Sequence, residues 1–489
     1  MKYYSTRDES IRISAAEAIA KGLAADGGLF VPECLPHVDA DEISALCAMD
    51  YKGRAKSIMA KFLDDFTAGE LERFVNAAYG KNFDCDAVAP LGFVDDKTAF
   101  LELWHGPTCA FKDMALQMLP HLLTASLKKT GEEKQVCILV ATSGDTGKAA
   151  LEGFADVEGT KIFVFYPKDG VSDIQRLQMV TQSGKNVGVC AVVGNFDDAQ
   201  TGVKKIFGYR EFAAALAEKG YFLSSANSIN WGRLLPQIVY YFSAYCDYVN
   251  CGRVAMGEKL DFCVPTGNFG NILAGWYAKQ MGLPVGKLIC ASNENNVLTD
   301  FINTGVYDKN RAFHTTISPS MDILVSSNLE RLLHALAGSE KVKAYMAALS
   351  ESGRYDVDAD VLAKIKADFC CGCCDDAETK ANIRQLFDKT EYLMDTHTAV
   401  AYKVLSDYRY EQGAKRPAVV VSTASPYKFA ADVLDALGVK DASDPLQGLT
   451  ETTGMPVPAP LSGLDKREVR FDGYTEKSAM RDTVDEFLK

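Results

Sequence analysis

The sequence predicts an α/β protein in which parallel sheets are flanked by helices. From Thr98 onward, short apolar runs such as Val136–Thr142 and Asp261–Val264 alternate with helical patterns. This alternation is typical of parallel strands joined by crossover helices. A chain of 489 residues is also too long to fold around one hydrophobic core, so we expect it to divide into several domains.

Residues 1–95 precede this alternation and predict an extra N-terminal helical domain. Within them, Ser14–Leu23 and Glu42–Phe66 carry apolar residues at helical spacing. The alternation is interrupted again over 340–390, which we interpret as a helical insertion. We expect a smaller α/β subdomain over 96–215, a larger one over 216–339, and a C-terminal part over 391–489 that completes the larger one.

Composition excludes several functional classes. The formal net charge of −13 argues against nucleic-acid binding through a basic surface. No stretch is apolar for long enough to span a membrane, and the first residues lack the apolar segment of a secretory signal. We therefore expect a cytoplasmic protein, a monomer or small homo-oligomer, whose partner is a small molecule rather than nucleic acid or a membrane.

Fourteen cysteines without a secretory signal predict reduced thiols. Four of them are clustered in the segment Cys370–Cys374. Their spacing is not the paired C-x-x-C pattern of a structural zinc site, and no histidine lies near them in the sequence. We interpret the cluster as small-residue packing and expect no metal site.

The stretch Glu102–Gln117 (ELWHGPTCAFKDMALQ) contains the lysine on which the functional hypothesis depends. Lys112 follows a Gly-Pro turn and the apolar sequence Cys-Ala-Phe, at the start of a helical pattern. Such a lysine can simply lie in solvent. Its apolar neighbours argue instead for a dry pocket, where desolvation lowers the pKa of the amine, as a Schiff-base lysine requires. We expect Pro120 to kink the helix that follows.

Three further loops each precede a helix and could bind anions. Ser143–Gly147 (SGDTG) follows a buried strand and offers free backbone N–H groups, although an ordinary turn with an N-cap would look the same. Pro265–Asn271 (PTGNFGN) has glycines that let the backbone approach an oxyanion. Asn227–Arg233 (NSINWGR) ends in an arginine that offers a bidentate fork to phosphate, or that caps the surface.

Several of these segments together resemble threonine synthases of the long fungal and bacterial type. The resemblance rests on the opening STR with GLAADGGLFVPE (Gly22–Glu33), on HGPTCAFKD around Lys112, on PTGNFGN, on the N-S-x-N-x-x-R pattern, and on STASPYKF from Ser422. It covers most of the chain and is weakest over 340–390 and after Pro445. It implies a pyridoxal-phosphate enzyme of fold type II, the tryptophan-synthase-β-like fold.

The resemblance also implies roles for individual residues. Lys112 would carry pyridoxal 5′-phosphate and act in catalysis, and Asp145 and Thr423 would face the ring hydroxyl and the pyridine nitrogen. The remaining cofactor residues would form the phosphate cup: Gly267, Asn268, Phe269, Gly270 and Asn271. The substrate residues would be Ser143, Asp145, Thr146, Asn227, Ser228 and Arg233. Relatives commonly have histidine at the position of Ser425, so any role of that histidine does not carry over.

The implied reaction converts O-phosphohomoserine and water into threonine and phosphate. Two alternatives remain open from the sequence. A phospho-lyase on the same scaffold would release 2-oxobutyrate and ammonia with the phosphate, and a catalytically silent protein would only bind the ligand. For His397 we favour a hydrogen-bonded structural role over acid–base chemistry.

Overall fold

A computed structural model describes residues 1–440 and 442–489, apart from the side chain of Asp197. The strands are β1 (Tyr3–Ser5), β2 (Phe30–Pro32), β3 (Leu91–Phe93), β4 (Thr98–Glu102), β5 (Gln135–Ala141), β6 (Thr160–Pro167), β7 (Val187–Val192), β8 (Tyr221–Ser224), β9 (Leu260–Pro265), β10 (Val285–Ser292), β11 (Val306–Asp308), β12 (Arg354–Asp356), β13 (Phe369–Cys373), β14 (Ala418–Ser422) and β15 (Tyr474–Thr475).

The helices alternate with these strands through most of the chain. They are α1 (Ala15–Lys21), α2 (Ala40–Cys47), α3 (Tyr51–Ala60), α4 (Ala68–Ala78), α5 (Asp113–Leu116), α6 (Leu119–Thr130), α7 (Asp145–Phe154), α8 (Asp173–Val180), α9 (Phe196–Gly208), α10 (Arg210–Glu218), α11 (Trp231–Asn250), α12 (Gly270–Gln280), α13 (Val297–Thr304), α14 (Leu329–Ala337), α15 (Ser339–Glu351), α16 (Ala359–Asp368), α17 (Asp376–Thr390), α18 (Thr396–Gln412), α19 (Ala430–Ala436), α20 (Pro445–Thr453) and α21 (Met480–Phe487). None of those within the described residues combines the length and the apolar character that crossing a bilayer requires.

Two sheets of mainly parallel strands form the framework, as an α/β protein requires. One has six strands in the order β13-β10-β9-β14-β4-β3, in which only β3 runs antiparallel to its neighbour. The other has five parallel strands in the order β15-β7-β6-β5-β8. We propose these sheets as the cores of the larger and the smaller subdomain.

Strand pairing does not follow the expected subdomain boundaries at every position. β4 lies in the six-stranded sheet although residues 96–215 are expected to form the smaller subdomain. Conversely, β8 and β15 pair within the five-stranded sheet although they fall in the ranges expected for the larger one. A pairing between strands far apart in sequence leaves no local signal. The sequence pattern therefore could not assign these three strands to their sheets.

Two helical patterns of the sequence form more than one helix each, and the kink expected at Pro120 is wrong. The span Glu42–Phe66 forms two helices, because Asp50 accepts a hydrogen bond from the Gly53 N–H and starts α3 anew. Pro120 does not kink a continuous helix either. It occupies the first turn of α6, where a missing N–H costs little, and a separate short helix, α5, precedes it.

The N-terminal helices pack on α11, a helix that is buried along most of its length. Trp231, at the start of α11, is fully buried between Tyr3 and Phe62 of the N-terminal segment and Tyr277 of α12. The amide of Asn230 also donates to the backbone oxygen of Ile19 in α1, at 3.0 Å. The N-terminal segment therefore supports the loop that contains Arg233.

The segment 340–390, expected to be a helical insertion, also contributes β12 and β13. The cysteine cluster lies mostly in β13, which pairs in parallel with β10 so that Cys371 is opposite Cys290. Because side chains alternate between the faces of a strand, neighbouring cysteines of the cluster point in opposite directions. Within the described residues, no group of three or more His, Cys, Asp or Glu side chains is placed to hold a metal ion.

We expect that replacing Cys371 and Cys373 together by alanine leaves both turnover and metal content unchanged, since both belong to β13, where Cys371 is half-buried and Cys373 is exposed. Metal analysis of the purified wild type and double variant, with a parallel turnover assay, checks this. Stoichiometric zinc in the wild type that is lost in the double variant would contradict the packing role.

Candidate active site

Residues 103–112, here called the lysine turn, connect β4 to α5. A buried carboxylate holds this turn. Asp113 accepts hydrogen bonds from the backbone N–H and the hydroxyl of Thr108, at 2.8 and 2.7 Å. A Cβ atom on Gly106 would lie 2.6 Å from the Cβ of Asp113, so the turn closes only because residue 106 is glycine. Burial raises the pKa of Asp113 to about 6, although the hydrogen bonds from Thr108 oppose this. The hydrogen bonds between Thr108 and Asp113 hold the backbone that leads into Lys112.

Lys112 lies in a largely dry environment, with 9 % of its surface exposed. Its Nζ is 3.4 Å from the Oγ of Ser320, 3.7 Å from the Oδ2 of Asp145, and 4.8 Å from the centre of the Phe111 ring. Burial lowers the pKa of Lys112 below its ordinary value. The carboxylate of Asp145 opposes this shift, whereas the positive charges of Lys428 and Arg233 add to it.

Asp145 lies at the N-terminus of α7 and is buried beside Lys112. Its Oδ1 accepts from the amide of Gln175 at 2.9 Å and pairs with the Nζ of Lys428, also at 2.9 Å. Burial alone would raise the pKa of Asp145, but the charges of Lys428 and Lys112 outweigh it and hold the pKa below its ordinary value. Asp145 is therefore a carboxylate with one oxygen anchored and the other turned toward Lys112.

The loop Pro265–Asn271 has the features of a phosphate cup. Phe269 adopts a left-handed backbone with φ of 62°, and α12 begins directly after it, so backbone N–H groups at the helix start face the loop. The side-chain oxygen of Asn271 accepts from Tyr240 and Tyr241, at 2.7 and 2.8 Å. Its Nδ2 is buried with no partner among the described atoms. A buried donor left free beside a helix N-terminus fits a bound phosphate group.

A second cationic position lies at the start of α11. Arg233 is buried, and its Nε has no partner in the part of the chain that the structure describes. One terminal nitrogen donates to the backbone oxygen of Ala226, and burial lowers the pKa of Arg233 to about 10. A buried guanidinium without a carboxylate partner is costly unless an anion from solution completes it.

All predicted site residues except Asp145 line one cavity of about 330 Å³. The six-stranded sheet contributes the turn after β4, the cup after β9 and Thr423 after β14, while the five-stranded sheet contributes Ser143 and Thr146 after β5. The carboxyl ends of parallel strands from both sheets thus face each other across the cavity, the usual place for ligands in open α/β folds. Asp145 does not line the cavity itself, but its carboxylate contacts Lys112, which does.

The loop after β14 is fastened to the lysine turn. The backbone oxygen of Thr423 accepts from the Phe111 N–H at 2.8 Å, and the Ser425 N–H donates to the oxygen of Cys109 at 3.0 Å. The side chain of Ser425 caps the short helix Pro426–Phe429 by accepting from the Tyr427 N–H. Thr423 is thereby held on the cavity wall, and Ser425 has a structural place of its own.

Three residues of the site were missed or undervalued by the sequence reasoning. The Oγ of Ser320 lies within 3.5 Å of both Lys112 and Asp145, and Lys428 pairs with Asp145 on its other oxygen. His397 lines the cavity as well: its Nε2 accepts from the Ser320 N–H at 3.1 Å, and its Nδ1 lies 2.7 Å from Asp395. The hydrogen-bonded role expected of His397 thus orients the Ser320 loop, which also packs against Gly267 of the cup.

His105, at the entrance to the lysine turn, predicts a pH-dependent contribution to stability. Its ring nitrogens lie 2.6 Å from Asp84 and 3.0 Å from Glu102. Burial alone would lower the pKa of His105, but these two partners raise it above its ordinary value. A raised folded-state pKa stabilises the fold fully below the unfolded value of about 6.5, and this stabilisation is lost as the pH rises through the folded-state pKa.

We therefore expect His105→Gln to lower the urea midpoint more at acidic than at alkaline pH, with the difference worth about 1 kcal/mol or less because the pair is partly exposed. His121→Gln is the matched control with the opposite sign, since burial lowers the pKa of His121. Urea titrations of the three proteins across the pH range check this. An effect of His105→Gln that grows with pH would contradict it.

Comparison with known proteins places the chain among a set of related enzymes. Family models described as "Threonine synthase N terminus", "Pyridoxal-phosphate dependent enzyme" and "Threonine synthase, C-terminal" match residues 2–79, 100–425 and 398–486. The threonine synthase of Pseudomonas aeruginosa is 39 % identical over 473 residues, which cover 96 % of this chain and 95 % of that protein.

Two further comparisons bear on function and fold. The human protein named threonine synthase-like 1 is 42 % identical over 441 residues; these cover 88 % of this chain but only 58 % of that longer protein. The crystal structure of pyridoxal-phosphate-bound threonine synthase from Brucella melitensis superposes with a TM-score of 0.88 at 38 % identity, covering 100 % of this chain and 98 % of the other.

Proposed function

The chain belongs to the threonine synthase family of pyridoxal-phosphate-dependent enzymes, has their type II fold and uses pyridoxal 5′-phosphate, and we propose that it converts O-phospho-L-homoserine and water into L-threonine and phosphate. The observation that carries this proposal is the presence of two separate anion positions in one cavity with a buried lysine. A cofactor phosphate needs only one of them. Arg233 supplies the second, which a substrate with its own phosphate would occupy.

The residues present fit the cofactor. The cup at Pro265–Asn271 would hold its phosphate through backbone N–H groups and the free Nδ2 of Asn271. Lys112 would carry it, Thr423 would meet the pyridine nitrogen, and Asp145 would face the ring hydroxyl. When bound, the cofactor withdraws electrons from Cα of the substrate, which makes the protons on Cα and Cβ removable and the phosphate on Cγ able to leave.

Lys112 is suited to the proton transfers. Its pKa is lowered, so more of it is a neutral amine that can accept a proton near neutral pH. It would take one proton from Cα and one from Cβ, return one to Cγ once the phosphate has left, and return one to Cα after water has added at Cβ. The Oγ of Ser320, 3.4 Å from Nζ, offers a hydrogen-bond partner that keeps the amine directed into the cavity.

The phosphate that leaves is received by the second anion position. The free Nε of Arg233 and its fork of donors match the planar geometry of a phosphate oxyanion pair. Asn227 and Ser228 line the cavity on the same side, and Ser143 and Thr146 line it from the start of α7. Together they would stabilise the dianion as it departs and so favour elimination.

Phosphate-release kinetics test the substrate assignment. We expect rapid release from O-phosphohomoserine and little from O-phosphoserine, whose phosphate is one carbon too short to reach Arg233 while its Cα lies at the cofactor. Inorganic phosphate should inhibit in competition with O-phosphohomoserine. Faster release from O-phosphoserine, or no inhibition by phosphate, would overturn the assignment.

We also propose a cytoplasmic location, since all fourteen cysteines are free thiols, which suits a reducing compartment.

A further inference from the structure

Lys428 is a fully buried lysine that the reaction described above does not use. It lies in the short helix Pro426–Phe429, directly after β14. Its Nζ is 2.9 Å from the Oδ1 of Asp145, 2.9 Å from the backbone oxygen of Thr108 and 3.0 Å from the Oε1 of Gln178. An ammonium has three hydrogens to donate, and here all three have acceptors. Lys428 is therefore fully engaged by acceptors within the protein and has no hydrogen left to donate to a substrate.

The acceptor it shares with the site is Asp145. One oxygen of this carboxylate is taken by Lys428 and Gln175, and the other faces the Nζ of Lys112 at 3.7 Å. A single negative charge thus lies between two lysines. If Asp145 had only Lys112 as a cationic neighbour, the pair would hold Lys112 as an ammonium ion, which can neither join the cofactor nor accept a proton.

We propose that Lys428 is a positioning residue that neutralises Asp145 and so allows Lys112 to work as a neutral amine. The proposal rests on the proposed role of Lys112. The charged groups that face Lys112 are Asp145 from α7, Lys428 from the segment after β14, and Arg233 from α11. His397 reaches it only through the hydrogen bond that it accepts from the Ser320 N–H.

The charges of Asp145 and Lys428 also affect how the cofactor is attached to Lys112. The neutral amine of Lys112 adds to the aldehyde carbon of pyridoxal phosphate, and one water molecule leaves as the carbon–nitrogen double bond forms. No oxidant or reductant is needed. The nitrogen in that bond would be the Nζ of Lys112, which lies 3.7 Å from Asp145 as the free amine, so its protonation should respond to Lys428 in the same direction.

The test is the pH dependence of the visible absorbance of the holoenzyme, which reports protonation at this nitrogen. The absorbance midpoint is the pH at which the absorbance change is half complete. Lys428→Met should raise this midpoint by about one pH unit. At a pH below both midpoints, this corresponds to a tenfold smaller fraction of the neutral form. Asp145→Asn should move it to lower pH. The double variant, which lacks both charges, should titrate close to the wild type.

Lys148, on α7, is buried like Lys428, but its Nζ pairs with Glu152 and Gln182 instead of Asp145. Lys148→Met is therefore the matched control. Its absorbance midpoint should equal that of the wild type. A merely structural role for Lys428 would give a less stable protein with an unchanged midpoint, and that result would overturn the proposal. If Lys428→Met does not fold, Asp145→Asn and the double variant decide, since equal midpoints in these two would also overturn it.

Failure here is distinguishable from failure of the proposed function. The absorbance titration needs no substrate, whereas the proposed function depends on phosphate release and product identity. As a second readout, the cofactor can be removed from the full chain and its rebinding rate followed against pH. That rate should shift with the same order of variants as the absorbance midpoint, and a different order would contradict the charge balance.

Discussion

Lys112→Ala should abolish turnover of O-phosphohomoserine, because it removes both the covalent attachment of the cofactor and the base beside Cα. The phosphate cup does not include this side chain, so the variant should still bind pyridoxal phosphate without a covalent bond. Borohydride reduction of the wild type should fix the cofactor to Lys112, as peptide mass spectrometry can show.

Lys148→Ala is the control for this experiment, since Lys148 is similarly buried but lies outside the cavity. It should retain the borohydride-stable label on Lys112. Recovery of the label on another lysine, or turnover by Lys112→Ala above the uncatalysed rate, would show that the wrong residue has been assigned.

Arg233→Ala should have the second-largest effect, on the substrate rather than on the cofactor. A guanidinium supplies two charge-assisted hydrogen bonds to an oxyanion, each worth about 1.5–3 kcal/mol. Turnover of O-phosphohomoserine at fixed concentration should therefore fall by about two to four orders of magnitude. Arg233→Lys should recover only part of this loss, because an ammonium keeps the charge but not the planar fork.

The visible spectrum of Arg233→Ala should stay close to that of the wild type, because the cofactor phosphate has its own cup. Arg331 is the matched control: it is equally buried, but its donors are used within the protein, by the oxygens of Phe30, Asn328 and Ile229. Arg331→Ala should lower thermal stability without a specific loss of phosphate binding. Loss of the cofactor from Arg233→Ala, or near-normal turnover, would contradict the assignment.

The local parts of this site were accessible from the sequence. The lysine turn, SGDTG and PTGNFGN each combine a strand, a polar or glycine-rich turn and a helix start within a few residues, and that combination is a local signal. The resemblance to threonine synthases then implied their roles. The type II fold and the cofactor agree with the family and the solved relatives.

The long-range parts were not accessible. Lys428 is 283 positions after Asp145 in the chain, and a lysine in a sequence is expected at the surface, so nothing marked it as fully buried. Ser320 reaches Lys112 through a loop that packs on Gly267 and is held by His397, both far from it in the sequence. Likewise, β13 becomes a strand because β10 offers it an open edge, and its run of cysteines and glycine gives no strand pattern of its own.

The measurement that tests the central proposal most directly is product analysis of the purified holoenzyme with O-phosphohomoserine in ¹⁸O-labelled water. We predict one threonine for each phosphate released, with the label in the hydroxyl group of threonine and none in the phosphate, since the Cγ–O bond breaks and water adds at Cβ. Release of 2-oxobutyrate and ammonia in place of threonine would show a phospho-lyase. Label in the phosphate with homoserine as product would show simple phosphate-ester hydrolysis, and either result would contradict a threonine synthase activity.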